Sequence, residues 1–217
     1  QLEAEQAWWK QREVVLCLLG YGLIAFIFNL SDEVTPIFAS APESDGGLGL
    51  STSQVGIPLT VSGVALLLYA SLGFKPMQRR FGVLRLARFG LVLSFFVWLL
   101  HPVSSLLVPD TTGALVILSL AHVGKSIAGV SSFTSSMVLV NVASPSKQLG
   151  RVNGMGQSVA AFVRGVGPAA GGFIWALTLG TGLPYHQFIV YSGIALMSLA
   201  TTAVYGSHLK IAALDGL

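Results

Sequence analysis

The chain has 217 residues, of which 53% are hydrophobic and only 10% charged, with a mean hydropathy of +0.74 and a formal net charge of +3. A soluble domain carries about 25% charged residues, so a water-soluble globular class is excluded. The pI of about 9.2 is no nucleic-acid signal, because the basic residues are scattered and form no patch interleaved with aromatics; no nucleic-acid partner is expected. A single cysteine, Cys17, excludes an internal disulfide and a cysteine metal cluster.

In chain order, residues 1–13 read as a polar linker. They open QLEAEQAWWKQRE, with no apolar signal core and no initiator Met, so a fragment or processed piece is expected. Trp8 and Trp9 suit a membrane interface. Six apolar stretches follow at 14–38, 52–74, 84–101, 113–142, 152–178 and 187–208, each near or above the roughly 20 residues a span needs. They predict an all-α integral membrane domain over 14–209, with a tail at 210–217. Gly46, Gly47 and Gly49 make a turn before a capping box at Ser51-Thr52-Ser53-Gln54. Pro102 and Pro109 bracket the connector after the third stretch, and Pro184 precedes the sixth. No internal repeat is visible.

The basic residues fix an orientation. Lys10, Arg12, Lys75, Arg79, Arg80, Arg85, Arg88, Lys147, Arg151 and Lys210 fall at the start, in alternate connectors, or in the tail; the connectors at 39–51, 102–112 and 180–186 hold none. By the positive-inside rule both termini are cytoplasmic. The choice between plasma and vacuolar membrane is left open.

Two cations, Lys125 and Arg164, lie inside apolar stretches, where charge is costly and marks function. Lys125 shares a turn with His122 and Ser126. The first stretch carries Asn29, Asp32 and Glu33; Asn29 and Glu33 share a face, and the two acids read as a proton-titrating pair near the far mouth, Asp32 favoured. The fifth carries Asn153, Gln157 and Arg164 on one face, Gly167 and Gly171 as a small-xxx-small contact, and Pro168 as a possible kink site. Because the first, fourth and fifth hold the deep ionisable groups, they are expected to meet around one aqueous space, with the third and sixth facing lipid and the second intermediate. Competing readings are structural: a helix end at water for Asp32 and Glu33, and bundle ion pairs for the two cations. Four scattered histidines give no metal set, and no cofactor is expected. The glycines of the fifth stretch follow no strand, which excludes a phosphate loop. No nucleophile–base set is present, and the Asn29-Leu-Ser31 sequon lies in a span.

The stretch GRVNGMGQSVAAFVRGVGPAAGGFIW, with LSDEVTPIFASAPESDGGLGLSTSQVG before it, resembles the carboxy-terminal half of major facilitator superfamily transporters, most closely the zinc-induced-facilitator-like group of the drug:proton antiporter class. The resemblance implies helices seven to twelve of a twelve-helix fold, in which the first and fourth of each half line the cavity. It also implies a basic motif in the loop after the second helix. Gln78-Arg79-Arg80-Phe81-Gly82, followed by Arg85, is similar to it, but Gln78 stands where an acid is usual.

The resulting expectation is a secondary active transporter working by alternating access. It would exchange a small organic solute or metal chelate for protons across a lipid bilayer, in partnership with a missing amino-terminal six-helix half. The deep cations favour an anionic or zwitterionic solute. The alternative is a truncated, non-transporting scaffold or regulatory half-transporter. An intramembrane enzyme lacks its acid dyad or metal set.

Overall fold

A computed structural model describes residues 7–206. Lys210 and the tail at 210–217 therefore lie outside the described residues, as do the first six residues of the linker and the last two of the sixth predicted stretch.

Six helices are long and apolar enough to cross a membrane. They are α1 (Arg12–Ser40), α2 (Thr52–Phe81), α3 (Val83–Val103), α4 (Thr111–Ala143), α5 (Leu149–Leu179) and α6 (His186–Val204). A helix satisfies most of its backbone polar groups within itself, which is what hydrocarbon demands of a spanning segment. Among the described residues there is no strand.

The predicted boundaries hold within a few residues except around α2. That helix does not end at residue 74. It passes through a π-turn at Tyr69–Gly73 and resumes as Phe74–Phe81. The expected basic loop is therefore a single residue, Gly82, whose φ of 79° lies in the region that favours glycine. Gln78, Arg79 and Arg80 belong to the last turn of α2, and Arg85 to the first turns of α3. Pro102 likewise lies inside α3 rather than beyond it. The capping box at α2 forms as predicted: the Gln54 amide nitrogen donates to Ser51 Oγ (3.4 Å) and the Ser51 nitrogen to Gln54 Oε1 (2.8 Å).

The core is an aromatic and hydroxyl interlock. Phe28 of α1 meets Trp98 of α3 at 5.3 Å and Phe133 of α4 at 5.4 Å, each edge to face. Trp98 Nε1 donates to Ser198 Oγ of α6 (2.9 Å), and Tyr191 donates to Thr35 Oγ1 of α1 (3.2 Å). Thus α3 and α6 are not simply lipid-facing. Each buries one stripe and turns an apolar stripe outward, Phe89, Val92 and Phe96 on α3 and Ile189, Leu196 and Leu199 on α6. The least buried helix is α2, followed by α5. Hydrophobicity alone could not separate a stripe that faces lipid from one that lacks a packed neighbour.

At the end away from the termini the first turn of α6 is tied to two connectors. His186 Nε2 donates to the Asp45 carbonyl (2.9 Å), and Gln187 Nε2 donates to Ser105 Oγ (3.0 Å). At the other end, Trp8 N donates to Gln148 Oε1 (3.1 Å), and Arg88 Nε donates to the Tyr205 carbonyl.

Candidate functional site

A cavity of ≈ 460 Å³ opens among α1, α2 and α4. Asn29 and Asp32 reach it from α1, Ser62 from α2, and His122, Lys125 and Ser126 from α4, with Phe28 and Phe133 as its aromatic wall. This corrects the expectation that α1, α4 and α5 enclose one space. The second helix takes the place assigned to the fifth.

The reason lies in α5's small residues. An added Cβ at Gly167 would come 3.4 Å from Asn29 Cβ, and one at Gly171 would come 2.9 Å from Glu33 Cβ. The small-xxx-small stripe thus sits flat on α1, at the very turns carrying Asn29 and Glu33. Flush packing on that face leaves Gln157 and Arg164 exposed on one flank and Phe162, Val166, Phe173 and Leu177 exposed on the other. Asn153 is half-buried. Arg164 is exposed, and its Nε donates to the Ala160 carbonyl (3.2 Å) within its own helix. Four residues on, Pro168 provides no N–H for the Arg164 carbonyl, so the mid-span of α5 carries a freed acceptor, although the helix runs on through it.

Lys125 forms an ion pair with Asp32 across 93 residues of sequence. Among the described residues no other pair joins a Lys or Arg to a carboxylate. The side chain of Lys125 is 16% exposed and that of Asp32 is 56% exposed, so the cation is embedded in the wall and the carboxylate faces the cavity. Asp32 stands about 12 Å before the end of α1, and Lys125 about 21 Å after the start of α4, which places the pair in the half of the bundle away from the termini. The two acids of α1 diverge. Asp32 takes Lys125, whereas the Cβ of Glu33 lies against α5 beside Gly171.

Around the ion pair, the hydrogen bonds fix which atoms are free. Asn29 Nδ2 donates to the Ala25 carbonyl (2.7 Å), leaving its Oδ1 as an acceptor. His122 Nδ1 lies 2.9 Å from the Leu118 carbonyl; a carbonyl can only accept, so the ring carries its proton there and presents Nε2 as an acceptor. Ser126 Oγ donates to the Ser62 carbonyl (3.0 Å), binding α4 to α2 beside the cavity.

Behind His122 stands a residue the sequence did not single out. The His101 ring is fully buried, 5.2 Å from that of His122 and stacked on Tyr191 at 5.3 Å. Its Nδ1 bonds the Val97 carbonyl (2.8 Å), and its Nε2 has no partner. A polar residue in a span with no charge at its centre, next to Pro102, was the available signal. Among the described residues no cluster of His, Cys, Asp and Glu could hold a metal ion.

Six spanning helices, three of them enclosing a cavity whose wall carries the Asp32–Lys125 ion pair, define a multi-pass membrane domain. The chain belongs to the major facilitator superfamily and corresponds to its carboxy-terminal half, which places it outside the enzymes. It is 32% identical over 79% of its length to the major facilitator superfamily multidrug transporter mfsB of Aspergillus fumigatus, covering 30% of that protein. It is 30% identical over 73% of its length to ZINC INDUCED FACILITATOR-LIKE 1 of Arabidopsis thaliana, covering 34% of it, and 27% identical over 84% to efflux pump azaK of Aspergillus niger, covering 40%. The chain thus spans about a third of the length of the curated relatives it matches. No family model and no solved structure matches it.

Proposed function

We propose that this chain is the cavity-bearing half of a proton-coupled antiporter that exports a small zwitterionic solute by alternating access, completed by an amino-terminal half of six helices. The observation that carries the reading is the Asp32–Lys125 pair on the cavity wall. A zwitterion can replace each ion's partner: its ammonium takes the Asp32 carboxylate and its acid group takes the Lys125 ammonium. No charge is then left unpaired in the low-dielectric wall, where an unpaired charge is strongly destabilising.

The same geometry supplies coupling with the sign that antiport needs. A proton and the solute's ammonium compete for one carboxylate, so each binds best when the other is absent. A purely anionic solute would act in the opposite sense. It would take Lys125, release Asp32 to accept a proton, and travel with that proton. Binding differences of this kind bias the rocking equilibrium between the two halves. Arg164, exposed on one flank of α5 and paired with no carboxylate among the described residues, meets either the solute's acid group or a carboxylate of the other half. The distribution of basic residues supports a cytoplasmic position for both termini. The efflux and multidrug relatives support the direction of transport.

The test is reconstitution of the full-length protein in liposomes with an imposed pH gradient. Zwitterionic solutes should dissipate the gradient, and Asp32→Asn should abolish the effect while leaving membrane insertion intact. Solute flux that ignores the gradient would refute the coupling.

A further inference from the structure

Where α2 ends and α3 begins, a second cleft of ≈ 200 Å³ is formed by Met77 and Phe81 from the last turns of α2 and by Arg85, Leu86 and Phe89 from the first turns of α3. The one-residue break at Gly82 brings these turns together. The floor is Leu86, which is buried, while Phe81 and Phe89 are each 42% exposed. Phe89 begins the outward apolar stripe that continues through Val92 and Phe96, so the cleft opens on the lipid-facing side of α3.

Its rim is cationic. Residues 74–90 hold Lys75, Arg79, Arg80, Arg85 and Arg88 and no Asp or Glu. Arg88 is committed to the Tyr205 carbonyl, but Lys75, Arg79, Arg80 and Arg85 are exposed and pair with no carboxylate among the described residues. The Arg80 guanidinium lies 5.5 Å from the Phe81 ring centroid, over the same edge.

We propose that this cleft is a binding site for one anionic phospholipid: the phosphate is held by Arg85 and Arg80, and an acyl chain lies against Met77, Phe81 and Phe89. The chemistry selects this occupant. A free anion would use the guanidiniums and leave the apolar cleft empty; a zwitterionic lipid would fill the cleft and gain little from four unpaired cations. An anionic lipid uses both, and guanidinium is the group suited to bidentate phosphate contact. The site lies at the end of the bundle that carries the termini, apart from the Asp32–Lys125 cavity.

Native mass spectrometry of the full-length protein, released from nanodiscs of mixed phosphatidylglycerol and phosphatidylcholine, tests it. We expect retained phosphatidylglycerol to exceed phosphatidylcholine about tenfold, to fall toward parity in Arg80→Gln/Arg85→Gln, and to weaken with rising salt in the unaltered protein, since the rim is exposed to screening. Equal retention of the two lipids, a preference that the double substitution leaves untouched, or equal binding of glycerol phosphate without acyl chains would each overturn the assignment. The salt series reads the same preference without any substitution, so a variant that fails to fold does not remove the test.

Discussion

The Asp32 carboxylate of α1 closes on the Lys125 ammonium of α4, with the acid turned to the cavity and the cation set in its wall. This asymmetry decides what each substitution should do. Asp32 is the accessible partner, for proton or solute; Lys125 is the one that suffers when left alone.

Asp32→Asn should therefore remove both the charge that the solute's ammonium needs and the group for which the proton competes. Solute binding in the unaltered protein should weaken as pH falls, because protons occupy the carboxylate. In Asp32→Asn it should be at least about tenfold weaker, the loss of one charged hydrogen bond, and flat with pH. Equilibrium binding of a radiolabelled solute over a pH series checks both. A binding curve for Asp32→Asn that still follows pH would assign the titration to another group.

Lys125→Met separates a cavity role from a purely structural one. An apolar side chain of similar length removes the embedded cation without leaving a cavity, and the loss of one partner is costly only where the other is left buried. Because Asp32 is more than half exposed, water takes over its solvation. Thermal stability should stay within about 1 kcal/mol, while flux of a solute with an acid group should drop more than about tenfold. A scanning fluorimetry midpoint together with a flux assay reads the two effects apart.

Much of this was legible in the sequence. Six spans followed from apolar length, and the cost of charge in hydrocarbon singled out Lys125, while the ion pair it makes with Asp32 did not follow from spacing. What misled was α5. Arg164, Gln157 and Asn153 share a face by spacing, but spacing does not say where that face points; Gly167 and Gly171 decide it by seating on Asn29 and Glu33. The place of α2 was also hidden, since Ser62 enters the cavity from a helix without a deep charge. His101 was missed because a lone histidine in an apolar run gives no sign of what it packs against. The basic stretch after residue 74 was read as loop from its charge, yet Lys75 to Arg80 continue the helix and only Gly82 breaks it.

The α1–α5 seam yields a graded test. At Gly171 a methyl would come 2.9 Å from Glu33 Cβ, tighter than packing allows; at Gly167 it would rest 3.4 Å from Asn29 Cβ, an ordinary contact. Gly171→Ala should cost about 1–3 kcal/mol through overpacking, whereas Gly167→Ala should be nearly neutral. Thermal midpoints of the two variants give the comparison, and an equal loss in both would contradict the flush seam.

His101 offers a stabilising change. Its unpartnered Nε2 is fully buried, and an unsatisfied buried polar group costs about 1–3 kcal/mol. His101→Phe keeps an aromatic ring on Tyr191 and removes that atom. The thermal midpoint should rise or hold, with transport retained. A clear fall would mean that Nε2 makes a contact essential to the fold.

Proton counting on solute binding tests the central claim most directly. Full-length protein in weakly buffered solution, titrated with a zwitterionic solute, should release protons as the solute binds, up to about one per site, because the two compete for that carboxylate. Asp32→Asn should release none. Proton uptake on binding would contradict the account outright, since it would mean that solute and proton occupy the site together; absence of any proton movement would remove Asp32 from the coupling.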